Sequence, residues 1–267
     1  MGTVSFSQFA TFDFQVSEIV SQTGKTLPQV LSLLCETGYA HISANIATAS
    51  AEWTGAVRDA GIGIFQLYAA PDFRDPDGRK RETDRIFAAA ETIRPESLMV
   101  IPSEYPDLPF GIIDECLNEL GQRLAAIGIQ MEMEDFDWGD PPRSYAFSSG
   151  LLRYMNAVPS LRCCFDTGNF IRSGENYREA YARLKHLVTH VHLKDRMNTD
   201  VYGPQLLRTP DGTPVMASPV GSGNLNLRDF LKELYADGFR GVLALEHGGC
   251  RDALAAARES IAFMRSL

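Results

Sequence analysis

Four residues able to hold a cation fall at the ends of four short apolar runs. The runs are Gly128 to Glu134, Leu161 to Asp166, Leu187 to Asp195 and Gly241 to Glu246, and the residues are Glu134, Asp166, His192 and Glu246. Runs of this length, bounded by turn residues, read as buried strands. In the third, alternation puts His190, His192 and Lys194 on one face and Val191 and Leu193 on the other. Two imidazoles and an ammonium on one buried face need partners. Hydrogen-bonded core histidines would satisfy that need. Strand ends offering Glu, Asp, His and Glu instead look like the rim of one metal site. Three carboxylates and an imidazole make a hard, mostly oxygen set, which suits Mn²⁺ or Mg²⁺, with Co²⁺ or Zn²⁺ as the alternatives. Two residues inward lie Glu132, Cys164, His190 and Ala244. Glu132 and His190 are expected to pair beneath the ion and orient its ligands.

The elements that would position these residues alternate along the chain. A loosely alternating aromatic stretch, Val4 to Phe14, opens it. Strands are expected at Tyr39–Ile42, Ile62–Leu67, Leu98–Ile101, Gly128–Glu134, Leu161–Asp166, Thr189–Leu193 and Gly241–Leu245. Between them, 3.6-residue periodicity predicts helices over 26–38, 50–60, 82–93, 112–127, 149–157, 177–187 and 226–235, with a last one over 252–264. Eight strands alternating with helices over 267 residues predict a single α/β domain spanning 1–267, a (β/α)8 TIM barrel. A doubly wound open sheet is the alternative. No Gly-x-Gly-x-x-Gly follows a strand, which argues against its dinucleotide-binding form. In a barrel, strand C-termini converge on one mouth. The long Pro- and Gly-rich segment 196–223 follows the seventh strand and so becomes a candidate lid over that mouth.

Composition narrows the partners. With 45% apolar and 22% charged residues, the chain is ordinary globular protein. A net charge of −9 repels phosphate backbones, so nucleic acid is not an expected partner. No apolar run approaches the roughly 18 residues of a membrane span, and no secretory leader opens the chain. Five cysteines, an odd number without a Cys-x-x-Cys, fit free thiols in the cytoplasm.

Several segments carry a family resemblance: Met133-Glu134-Asp135-Phe136, Phe165-Asp166-Thr167-Gly168-Asn169, Val191-His192-Leu193-Lys194-Asp195, Gly221-Ser222-Gly223 and Leu245-Glu246-His247. They resemble the sugar phosphate isomerase/epimerase superfamily, the xylose-isomerase-like barrels. The resemblance is clear over about 98–250 and rests on strand rhythm before that. It implies one divalent ion on Glu134, Asp166, His192 and Glu246, with Glu134 and Glu246 also serving as acid and base. It also implies a small carbohydrate substrate and, in many members, a homo-oligomer. The implied chemistry is removal of a proton next to a carbonyl through a metal-stabilised enediolate, giving isomerisation or epimerisation. Two alternatives stay open, a lyase dehydrating a cyclic polyol ketone and a non-catalytic sugar-binding barrel. A trinuclear endonuclease site would need more than the five histidines present. Two departures bear on the substrate. Asn169 stands where the family often has His, and Ala40-His41-Ile42-Ser43 stands where a strand often ends in Glu. His41, Asn169, Lys194 and Arg196 are the expected substrate contacts.

Overall fold

The computed structural model describes residues 6–136 and 143–267, so Val4 and Ser5 of the opening stretch lie outside the described residues. In chain order the elements are β1 Phe9–Phe12, α1 Asp13–Thr23, α2 Leu27–Thr37, β2 His41–Asn45, α3 Ala51–Asp59, β3 Gly63–Ala69, α4 Arg79–Ile93, β4 Ser97–Val100, α5 Phe110–Ala126 and β5 Gln130–Glu134. They continue with α6 Ser148–Ala157, β6 Leu161–Asp166, α7 Phe170–Ser173, α8 Tyr177–Leu184, β7 Val188–Lys194, β8 Arg196–Met197, β9 Gln205–Arg208, β10 Pro214–Ala217, α9 Leu227–Ala236, β11 Leu243–Glu246 and α10 Ala253–Arg265.

Eight parallel strands close in the order β1-β11-β7-β6-β5-β4-β3-β2. Closure removes both sheet edges and rules out the open doubly wound sheet. Because the strands are covered on both faces, their sequences read as near-continuous apolar runs. Outside the barrel, helix stripes such as Ile113, Leu117, Leu120 and Leu124 of α5 are buried. A knot of rings, Phe165, Phe170, Tyr181 and Phe230, packs β6 against α7, α8 and α9 with centroids 5.1–5.9 Å apart. All five cysteines are free. Among the described residues no helix is long and apolar enough to cross a membrane.

Three features depart from the sequence expectation. Helix α1 follows β1 with no loop: Phe12, its N-cap, is extended and offers no side-chain cap, so the strand-to-helix joint has no turn signal. β2 starts at His41 and runs on to Asn45, so the expected Tyr39–Ile42 strand was set too early. The segment 196–217 is an antiparallel sheet, order β8-β10-β9. Strands of two to four residues interrupted by Pro and Gly carry too little periodicity to be told from a loop.

The root of that small sheet is stapled. The Asp195 carboxylate, at the end of β7, accepts N–H bonds from Gly221 (3.0 Å), Gly223 (3.0 Å), Leu225 (3.2 Å) and Arg196 (2.9 Å). This explains the Gly-Ser-Gly motif. Gly221 has φ +90°, and a Cβ there would meet the Phe263 ring; a Cβ on Gly223 would lie 2.2 Å from Asp195 Oδ1.

Candidate metal centre and substrate cavity

Register delivers the four expected ligands to one place. Asp166 pairs with His192 across β6 and β7, and Glu246 pairs with Lys194 across β11 and β7. Glu134, Asp166, His192 and Glu246 each bring one ligand atom, and these atoms all lie within 4.8 Å of one another. His192 Nδ1 is 3.0 Å from Glu134 Oε1. Asp166 Oδ1 accepts the N–H groups of Gly168 (2.7 Å) and Asn169 (2.9 Å), which fixes the carboxylate plane.

A cation already stands among these groups. Lys194 Nζ is 2.9 Å from Asp166 Oδ2, 2.9 Å from Glu246 Oε1 and 2.7 Å from Asn169 Oδ1. Burial opposes the ammonium's charge, but Asp166, Glu246 and Glu134 outweigh it and hold its pKa well above the usual lysine range. A ring that holds an ammonium this way, built of hard oxygens and one imidazole, fits a divalent ion of the Mn²⁺ or Mg²⁺ type.

The carboxyl groups divide by environment. Burial, with the charges of Asp166 and Glu134, pushes Glu246 up to about 7, even though Lys194 and His192 pull the other way. Asp166 is also disfavoured by burial, yet Lys194 and His192 keep it below its ordinary value. Asp135 is raised well above the carboxylate range by burial and by Asp166 and Glu134, and it receives the Asp166 N–H at 2.9 Å. Pairs of acids driven apart in this way are the usual signature of a proton-transfer site.

Beneath lies the expected inner layer, with an unexpected member. Glu132 and His190 are buried and 3.6 Å apart, bridged by Gln66 of β3. The Gln66 Nε2 lies 2.8 Å from Glu132 Oε2 and 2.9 Å from His190 Nδ1. Thr189 donates to the other Glu132 oxygen at 2.8 Å. Burial disfavours the Glu132 charge, but His190, Thr189 and Ser97 hold it below the usual range. Burial pushes His190 below its ordinary value, against the pull of Glu132. Gln66 escapes a sequence reading because a lone amide in an apolar run signals nothing by itself.

Three of the four expected substrate contacts are at the site. Lys194 and Arg196 line the cavity. Asn169 sits behind it, donating to Glu134 Oε1 at 3.1 Å and accepting from Lys194. It is a brace between ligand and lysine, a role that does not require the proton shuttling of His. His41 is a correction. It begins β2, at the opposite end of the barrel from the mouth, where its ring meets Phe65, and it does not line the cavity.

The cavity, about 470 Å³, is walled by Phe12, Phe14, Met99, Ile101 and Phe136 from the barrel side and by Leu206 and Leu207 from the small sheet. The volume falls within the roughly 300–1,000 Å³ usual for small-molecule sites. Tyr68 and Glu18 add polar groups that sequence reasoning missed. Tyr68 donates to Asp13 at 2.5 Å, and Glu18 receives the Gly249 N–H at 3.1 Å. Both depend on α1. That helix also supplies Gln15, which accepts the His247 N–H (3.1 Å) and donates to Leu245 O (3.2 Å), fixing the strand end that presents Glu246.

Fold and site thus define a (β/α)8 barrel with a cluster of three carboxylates and an imidazole, able to hold a cation, at its C-terminal mouth. A model of the xylose isomerase-like TIM barrel family matches residues 32–267, and the chain belongs to that family. Solved structures agree at the level of fold. A D-allulose 3-epimerase from Methylomonas sp. is 12% identical, with coverage of 100% of this chain and 99% of that one and a TM-score of 0.72. The probable 3-DHS dehydratase of petrobactin synthesis from Bacillus anthracis is 13% identical over 97% and 98%, TM-score 0.71. A xylose isomerase-like TIM barrel protein from Mycobacterium smegmatis in complex with magnesium is 16% identical over 100% and 98%, TM-score 0.70. No curated protein matches the sequence.

Proposed function

We propose that the protein is a divalent-metal-dependent isomerase or epimerase of a sugar, sugar phosphate or related hydroxy-ketone. The observation that carries this is the clustering of ligand atoms of Glu134, Asp166, His192 and Glu246 within 4.8 Å, with Glu134, His192 and Glu246 lining the cavity. Glu134, Asp166, His192 and Glu246 would hold a Mn²⁺ or Mg²⁺, which would supply positive charge beside the substrate carbonyl. The protein's own work is proton transfer, orientation and exclusion of water. Glu246, which lines the cavity, is the carboxylate that takes a proton from carbon and returns one. Glu134 is the partner carboxylate, steadied by Asn169 and His192. Return to the opposite face inverts the carbon, and return to the neighbouring carbon moves the carbonyl. The apolar walls leave few competing hydrogen-bond partners around the reacting carbon.

Proton exchange tests the reading. With Mn²⁺ in D₂O, deuterium should enter the carbon beside the carbonyl of the correct ketose. Glu246→Gln should lose exchange while a metal assay still finds the ion. Full exchange in that variant would remove Glu246 from the mechanism. No exchange by the wild-type protein with any ketose, keto sugar acid, ketose phosphate or inosose would overturn the enzyme reading. The likeness in fold to a dehydratase keeps a lyase as the second reading, and release of water with loss of a β-hydroxyl would select it.

A further inference from the structure

Arg196 is nine-tenths buried, opens the small sheet as the first residue of β8 and lines the cavity. Its backbone is spoken for: the N–H donates to Asp195, and the carbonyl accepts from Asn224 at 2.7 Å. Its guanidinium is not. Among the described residues no carboxylate reaches ion-pair distance of it, and the buried Nε has no acceptor. Lys194, the other cation of the cavity, is paired with Asp166, Glu246 and Asn169 in the metal-free protein, so dependence on Arg196 itself is what the test must read. Glu18 shares the cavity, but its carboxylate faces the Gly249 N–H, and burial favours its neutral form.

A guanidinium stays charged in any protein environment, and a buried Nε–H without an acceptor is expensive. Its planar fork matches a carboxylate or a phosphate through two parallel bonds, a match a neutral hydroxyl does not give. Leu206 and Leu207 of the small sheet and Gly248 and Gly249 after β11 line the same cavity, where Phe14 and Leu206 pack too closely on the two glycines for a Cβ. Arg196 thus shares one largely apolar chamber with Glu134, His192 and Glu246 of the cluster.

We infer that the substrate carries an anionic group, carboxylate or phosphate, and that Arg196 binds it while the carbonyl end faces the metal cluster. The inference rests on the isomerase reading of the same cavity. It narrows the substrate from sugars at large to sugar acids or sugar phosphates.

The test is binding, not turnover, so that it can fail independently. Wild-type protein and Arg196→Gln, both loaded with Mn²⁺, are titrated with three matched probes: glycerol, glycerate and glycerol phosphate. The expected result is that wild type binds one of the two anions at least tenfold more tightly than glycerol, and that Arg196→Gln loses about tenfold or more for that anion with glycerol unchanged. Whichever anion is preferred identifies the group as carboxylate or phosphate. Arg196→Lys should recover part of the affinity, since charge persists without the fork, and thermal melting of each variant reports its folding. Should Arg196→Gln melt early, the Arg196→Lys comparison carries the test. Equal anion affinity in wild type and the folded variants, or no preference for an anion in wild type, would overturn the inference. Proton exchange on a neutral ketose alongside that negative result would leave the isomerase reading standing without the anion pocket. Arg196-dependent anion binding without any exchange would do the reverse.

Discussion

Lys194 holds the place of a counter-ion for three carboxylates, and this sets the sign of an experiment. A metal binding to Asp166 and Glu246 must displace an ammonium that sits 2.9 Å from each. Lys194→Met should therefore bind Mn²⁺ more tightly than wild type, by about tenfold, while its metal-free form melts earlier because the carboxylates repel. Weaker metal binding in the variant would show that Lys194 supports the ion. His192→Ala removes the one nitrogen ligand and should weaken Mn²⁺ binding by calorimetry. Both residues were visible in the sequence, because alternation along His190–Lys194 assigns them to one face whatever the fold. What the lysine touches was not visible, since that depends on β6 and β11 on either side.

At the scale of elements, the small sheet hangs from Asp195. Gly223→Ala would drive a methyl into that carboxylate and should cost about 2 kcal/mol, read as a lower melting temperature with faster proteolysis between 198 and 222. If the variant cuts and melts as wild type does, Asp195 does not clamp the segment. Most of the barrel strands were legible because they are short, largely apolar runs of parallel-sheet length bounded by turn residues. Helix α1 was not, because Phe12 passes directly from strand to helix. That one missing turn signal concealed Asp13, Gln15 and Glu18 together. The misplacement of His41 has a similar origin: an apolar run says that a strand exists, but the residue at which it ends is set by pairing with β1 and β3.

For the molecule as a whole, two neighbouring residues tilt stability against pH in opposite directions. Burial lowers His247 to about 4, so between about 6.5 and 4 the unfolded chain binds a proton that the native one refuses. That stability is fully present above 6.5 and is lost as pH falls toward 4, by up to about 3 kcal/mol. His190 and His192, also lowered by burial, act in the same direction. Glu246, raised from 4.5 to about 7, does the opposite: its contribution is present below about 4.5 and is lost as pH rises through 7. In metal-free protein, chemical denaturation should show Glu246→Gln gaining stability steeply with pH between about 4.5 and 6.5, and wild type much less so. Equal slopes would mean that Glu246 titrates normally. The clamp at Asp195 also has an evolutionary consequence. It makes the stretch from 198 to 220 a closed excursion whose length is decoupled from barrel register. At its tip, Asp211, Gly212 and Thr213 are exposed. Chain closure grows only logarithmically with length, so a Gly-Ser pair inserted after Asp211 should cost under about 1 kcal/mol. Such an excursion can be lengthened or exchanged as a cassette, renewing the Leu206–Leu207 wall of the chamber while the eight strands and the four clustered side chains at their ends stay in place.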